Sequence, residues 1–208
     1  MSKSITRKRI KDPYQLKAHK EWFLARSIYK LDEIDHKFHL FDTKTRYVMD
    51  IWCAPGSRLQ YIQKSLAGKH DKCILGLDIK QCDVVGPETY IYEQDATKYD
   101  EVQAILDHHN VSSFDLIVSD MAPDTIGQKS IDAMRSIGLI EKTLWIYEKY
   151  LKPEGRFCMK VFMGPGYDEL VRGLKLQYGA SNIVTFKPKA TRDYSKEIFI
   201  IKKPISTN

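Results

Sequence analysis

The chain lacks a Cys-x-x-Cys pair, an apolar run near the ~20 residues that a membrane helix needs, and an apolar N-terminal segment of the secretory kind. These absences argue against a zinc ribbon and a bilayer span, and set the expectation of a soluble, cytoplasmic protein with no membrane partner. Cys53, Cys73, Cys82 and Cys158 are read as free thiols, three of them in or beside apolar runs. His36 and His39 have ligand-like spacing, but no Cys or carboxylate motif completes a metal site. The chain also lacks Gly-x-x-x-x-Gly-Lys-Ser/Thr, so a P-loop is unsupported, and Gly-x-Gly-x-x-Gly, which weakens a dinucleotide dehydrogenase. There is no internal repeat, low-complexity tract or Pro/Gly-rich linker, and 208 residues make one ordinary domain able to bury a core.

Charge is unevenly spread. The first thirty residues hold nine Lys or Arg against Asp12 and Glu21, a surplus of +7 in a chain whose net charge is +6. The remainder is therefore close to neutral. A basic arm over residues 1–13, ahead of a single domain over 14–208, suits a polyanion, and RNA fits best. A solvated tail remains the bland alternative.

Hydrophobic periodicity predicts a helix over 14–38, with Trp22, Phe23, Leu24, Ile28, Leu31 and Ile34 as its stripe. Strands are then predicted at 47–51, 73–77, 89–92, 114–118 and 157–162, separated by helices at 60–66, 99–108 and a long one at 130–150 closed by Lys152-Pro153-Glu154-Gly155. A helix at 167–177 follows, and two late strands, 182–186 and 197–201, have no helix between them. The alternation implies a mainly parallel seven-stranded sheet with an antiparallel edge strand and helices on both faces.

In such sheets ligands bind beyond the carboxyl ends of the strands, at the topological switch point. Carboxylates fall there in order: Asp50 in strand one, Asp78 closing strand two, Asp95 after strand three and Asp120 after strand four. Asp78 is placed to accept from both hydroxyls of a ribose. Lys160 lies in an apolar strand between Phe157, Met159, Val161 and Phe162, where a cation is costly unless paired. Burial and a second lysine nearby both favour a neutral amine, a form able to accept a proton. Alone, Lys30 on a basic helix and Glu197 at a strand start read as solvated charges.

Four settings change that reading: Arg26-Ser-Ile-Tyr29-Lys30, Asp115-Leu-Ile-Val-Ser-Asp120-Met-Ala-Pro123, Arg156-Phe-Cys-Met-Lys160-Val-Phe-Met-Gly-Pro-Gly-Tyr-Asp-Glu169, and Ser195-Lys-Glu197-Ile-Phe-Ile. Lys-Asp-Lys-Glu in this order, from about Trp22 to about Lys202, resembles the FtsJ-like family of large-subunit (23S) ribosomal RNA 2′-O-methyltransferases. The resemblance implies a Rossmann-like S-adenosylmethionine-dependent fold. It also implies methyl transfer to a ribose hydroxyl, most readily of a uridine, in ribosomal RNA or the large ribosomal subunit, by a monomer. It assigns Lys160 as catalytic base within a set of Lys30, Asp120 and Glu197. It places Asp50, Pro55, Gly56, Arg58, Asp78, Asp95 and Asp120 around the donor.

The donor loop departs from the family pattern Asp-Leu-Gly-x-Ala-Pro-Gly-Gly-Trp. Here Trp52 and Ser57 replace glycines and Arg58 replaces the aromatic residue. An indole at Trp52 either fills the methionine pocket or shifts the loop, so a catalytically impaired RNA-binding or ribosome-assembly protein stands as the alternative. The late run Lys187-Pro-Lys189-Ala-Thr-Arg192-Asp-Tyr194-Ser-Lys196, with Tyr29 and the basic arm, offers basic and aromatic groups for phosphates and an unstacked base.

Overall fold

Short apolar runs become strands here because each is flanked by turn residues and too brief for a stable helix. A computed structural model describes residues 12–192 and 194–204. Most of the expected basic arm, residues 1–11, lies outside the described residues. Asp12 and Pro13 already belong to the first helix, whose end is capped when the Asp12 side chain accepts from the Tyr14 amide at 3.1 Å. In chain order the elements are α1 Pro13–Lys20, α2 Ile28–Phe38, β1 Tyr47–Ile51, α3 Ser57–Ser65, β2 Cys73–Asp78, β3 Thr89–Glu93 and α4 Tyr99–His108. They continue as β4 Phe114–Ser119, α5 Lys129–Glu141, α6 Leu144–Tyr150, β5 Leu151–Phe162, α7 Tyr167–Tyr178, β6 Ile183–Phe186 and β7 Glu197–Lys202.

The strands form one sheet in the order β3-β2-β1-β4-β5-β7-β6. The first five are parallel, β7 runs antiparallel to β5, and β6 pairs antiparallel with β7. The order reverses between β1 and β4, which makes their carboxyl ends the switch point. Two apolar clusters cover the faces. α2 and α3 bury Leu31, Ile34, Leu59 and Ile62 against Val48, Leu116, Val118, Cys158 and Phe199. α4, α5, α6 and α7 cover the opposite face, over Met49, Ile51, Leu75, Ile117, Phe157 and Met159. Cys53, Cys73 and Cys158 are buried, Cys82 is half-buried, and all four are free thiols.

Three sequence expectations need correction. The helix expected over 14–38 is two helices. Trp22, Phe23 and Leu24 are consecutive, so they cannot share one helical face. The chain instead turns at Trp22, whose φ is +62°, with Phe23 N–H donating to the Ala18 carbonyl at 2.9 Å. Trp22 is left 88% exposed, while Phe23 joins a small cluster with Ala18, Ile28, Tyr29 and Ala190. The long helix over 130–150 is also two, because the buried Thr143 turns its hydroxyl back to the Ile140 carbonyl at 2.9 Å and competes with the helical ladder. Finally, Lys152–Gly155 does not close off a helix but lies inside β5, where the register against β4 jumps. The buried Lys202 ammonium donates to the Pro153 carbonyl at 3.0 Å and to that of Gly155, satisfying this irregular stretch.

Candidate active site

The period of two along a strand decides which side chains meet. Val48, Leu116, Val118, Cys158 and Phe199 face α2 and α3, so Asp50, Lys160 and Glu197, two residues along from members of that set, face the same side. Asp120 follows β4 directly, its amide donating to the Ile51 carbonyl at 3.2 Å across the switch point. Lys30 reaches this side from the first turn of α2. The structure therefore brings together all four residues of the Lys-Asp-Lys-Glu set.

They meet as two ion pairs. Lys160 Nζ lies 2.8 Å from Asp120 Oδ1 and donates to the Asp120 carbonyl at 2.6 Å. Lys30 Nζ lies 2.6 Å from Glu197 Oε1, and the Thr191 hydroxyl donates to that same oxygen at 3.4 Å. Burial opposes the charge on Asp120, but Lys160, Arg58 and Lys30 outweigh it and hold its pKa well below the usual carboxylate range. A cavity of about 10 Å³, space for about one water, lies among Lys30, Arg58, Asp120 and Phe199.

Arg58 is where the structure adds most to the sequence reading. Its guanidinium is buried. Nε and Nη2 donate to Asp50 Oδ1 at 3.0 and 2.8 Å, Nη1 donates to Asp120 Oδ2 at 2.8 Å, and Nη2 also reaches the Trp52 carbonyl. Burial works against this charge, yet Asp50 and Asp120 outweigh it and raise the pKa of Arg58. Asp50 itself is fully buried, and its Oδ2 has no hydrogen-bond partner. Burial, joined by repulsion from Asp120 and Asp78, pushes its pKa up to about 6 despite Arg58.

The other donor-site candidates gather at the same end of the sheet. Gly56 caps α3 with φ +109°, a conformation reserved for glycine, and a Cβ there would sit 2.1 Å from Val84 Cγ2. Pro55 precedes it and is exposed. Asp78 accepts from the Ala54 amide through Oδ2 and the Lys80 amide through Oδ1, both at 2.8 Å. Asp95 accepts from the Thr97 amide at 2.9 Å and its hydroxyl at 2.8 Å. Trp52 takes φ +70°, where the family pattern has glycine, and packs on the α4–α7 side of the sheet. The tetrad lies on the other side, so the indole does not enter it.

A cleft of about 270 Å³ shares Ser27 and Lys30 with the small cavity and is further lined by Arg26, Arg192, Tyr194 and Glu197. Arg26 pairs with Asp12, and Arg192 lies 3.8 Å from the same Asp12 oxygen. Burial and Arg192 both lower the pKa of Arg26, the mark of crowded cations. Tyr194 is 77% exposed at the rim. Tyr29, expected to offer a ring to a base, is instead buried, and its hydroxyl donates to Glu21 at 2.8 Å.

The FtsJ-like methyltransferase family matches residues 23–204, the whole span that carries this geometry. The chain belongs to that family. A ribosomal RNA large subunit methyltransferase E of Hydrogenovibrio crunogenus is 37% identical, the alignment covering 92% of this chain and 90% of the relative. The enzyme of the same name from Desulfatibacillum aliphaticivorans is 36% identical over 92% and 89%. A crystal structure described as a ribosomal RNA methyltransferase from Plasmodium falciparum superimposes with a TM-score of 0.74 at 28% identity, covering 87% of this chain and 97% of that one. The expected fold, mostly parallel with antiparallel strands at one end, is that of these methyltransferases.

Sequence reasoning missed two features of this methyltransferase. The Asp12–Arg26–Arg192 cluster gave no signal, because its members lie far apart in the chain. The inward reach of Arg58 had one: a cation in the first turn of a helix whose next residues, Leu59 and Ile62, are core.

Proposed function

We propose that this methyltransferase moves a methyl group from S-adenosylmethionine to a ribose 2′-hydroxyl of large-subunit ribosomal RNA, with a uridine as the expected nucleotide. The work is done by a single domain from residue 14 onward, preceded by a basic arm. The observation that carries this reading is the pairing of Lys160 with Asp120 and of Lys30 with Glu197 on one face of the switch point. Names of relatives with about 36% identity over nine-tenths of their length support the substrate class.

Two observations fit the donor: the Gly56 turn opening α3 and the carboxylates at the ends of β2, β3 and β4. Asp78, Asp95 and Asp120 would hold it, with Pro55 and Gly56 shaping the turn. When bound, the donor supplies a methyl carbon on a sulfonium, whose carbon–sulfur bond breaks with its electron pair left on sulfur.

The protein's own groups align the hydroxyl and handle its proton. Once Lys160 has given up its ammonium proton, Nζ accepts the hydroxyl proton as the 2′-oxygen forms the new bond to carbon. Asp120, 2.8 Å away, stabilises the resulting ammonium. Glu197 and Lys30 hold each other at the mouth of the cleft, where a ribose enters. Arg26 and Arg192 suit the flanking phosphates, and Tyr194 suits an unstacked base. A non-catalytic RNA binder has no evident use for a buried, paired Lys160.

The test is transfer of label from S-adenosylmethionine to large ribosomal subunits lacking their ribose methyls. Wild type places label on the RNA, and Lys160→Ala loses about 10²- to 10⁴-fold of that rate. A wild-type protein that labels neither free RNA nor subunits ends the catalytic reading.

A further inference from the structure

Arg58 is a buried cation beside the reacting centre that the chemistry above does not use. We propose that Arg58 is a positioning residue for methyl transfer, clamping Asp120 to β1 and so fixing where Lys160 sits. The inference rests on the proposed methyl transfer for its kinetic meaning and on geometry alone for the clamp.

The two oxygens of Asp120 are shared out. Oδ1 faces Lys160 Nζ at 2.8 Å, and Oδ2 accepts from Arg58 Nη1 at 2.8 Å. The remaining edge of the same guanidinium grips Asp50 Oδ1 through Nε and Nη2. Asp50 lies in the body of β1, hydrogen-bonded into the sheet beside β2 and β4, and cannot drift. A planar fork spanning two carboxylates transmits that rigidity to Asp120, which stands just past the last residue of β4. Without it, Oδ2 has no fixed donor, and the carboxylate can rotate away from Lys160. A lysine at 58 would carry the charge but not the fork.

The charged or titratable groups facing Asp120 are Arg58 from α3, Lys30 from α2, Asp50 from β1, and Lys160 with the Cys158 thiol from β5. Removing Arg58 takes away one of three cations while leaving Asp50, so Asp120 becomes easier to protonate.

Arg58→Met tests the clamp. It also strands a buried Asp50, so Arg58→Met with Asp50→Asn is the companion that removes the orphan charge and keeps the fold assayable. Carboxyl ¹³C NMR of Asp120, assigned with Asp120→Asn, follows its titration without any methyl transfer. In Arg58→Met the Asp120 titration moves to higher pH, and in the companion, where the repulsion from Asp50 is also gone, it moves less far in the same direction. With saturating RNA and donor, kcat falls by about 10- to 100-fold. KM for S-adenosylmethionine, to which Asp120 also contributes, rises by less than kcat falls. Arg58→Lys restores the titration and only part of kcat. An unmoved Asp120 titration in both variants overturns the clamp. So does a loss that lies wholly in the donor KM with kcat unchanged, which makes Arg58 a donor-binding residue instead. A wild-type protein without methyl transfer defeats the proposed function, and the titration then decides the clamp by itself.

Discussion

Replacing Asp50 by Asn should stabilise the folded protein at neutral pH, although it removes a partner of a buried arginine. Asp50 is fully buried, one of its oxygens is unpartnered, and its folded-state pKa is raised from an ordinary 3.8 to about 6. Between these values the folded chain binds more protons than the unfolded one. Stability therefore falls as pH rises through this window, and the loss is complete above pH 6. About two pH units at 1.36 kcal/mol each give roughly 3 kcal/mol, and this already includes the attraction of Arg58. Below pH 4 the acid is protonated in both states and closely mimics Asn, so wild type and Asp50→Asn should be nearly equal. By pH 7 the variant should be ahead by up to about 3 kcal/mol. Asp120 and Asp42, whose pKa values are depressed, lose stability in the opposite direction as pH falls, but both proteins share them. Urea unfolding at fixed ionic strength from pH 4 to 7 reads the difference directly. A variant that falls further behind wild type as pH rises would refute the reasoning, because the Arg58 pair would then outweigh burial.

Three further outcomes follow from packing and charge. Gly56→Ala forces a Cβ against Val84 at a φ of +109°, with an expected cost of about 1–3 kcal/mol. Val84→Ala in that background should return the steric share and leave the backbone strain, so a double variant no better than Gly56→Ala in thermal unfolding rejects the contact. Arg192→Ala should weaken RNA binding and reduce the slope of log affinity against log salt by about one. An unchanged slope moves the RNA path off this cleft. Tyr194→Ala should weaken binding of a single-stranded RNA by about 1–3 kcal/mol, measured by fluorescence anisotropy, whereas equal affinities leave its ring without a base to stack on.

Much of the fold was legible because strands and their terminal acids are local features. Runs such as Phe114–Ser119, followed at once by Asp120, need only a period of two and a turn to be recognised. Element ends were less legible. Thr143 breaks a helix through its own hydroxyl, and Trp22 turns the chain in a conformation its residue type rarely adopts. Periodicity registers neither effect.

The sequence by itself determined the class of the protein, through strands, terminal acids and the four settings that resemble the family. Without that resemblance Lys30 and Glu197 read as solvated charges, and the local pattern does not say which side chains meet. Only the tertiary structure decided which do. Arg58 and Asp120 are 62 residues apart and meet because the sheet order sets β1 beside β4. The indole of Trp52 turns to the α4–α7 side, and Tyr29 sinks beneath α1, where its hydroxyl finds Glu21. A buried charge must take the counter-ion that the completed fold places within hydrogen-bond reach, and that choice has no local signature in the chain.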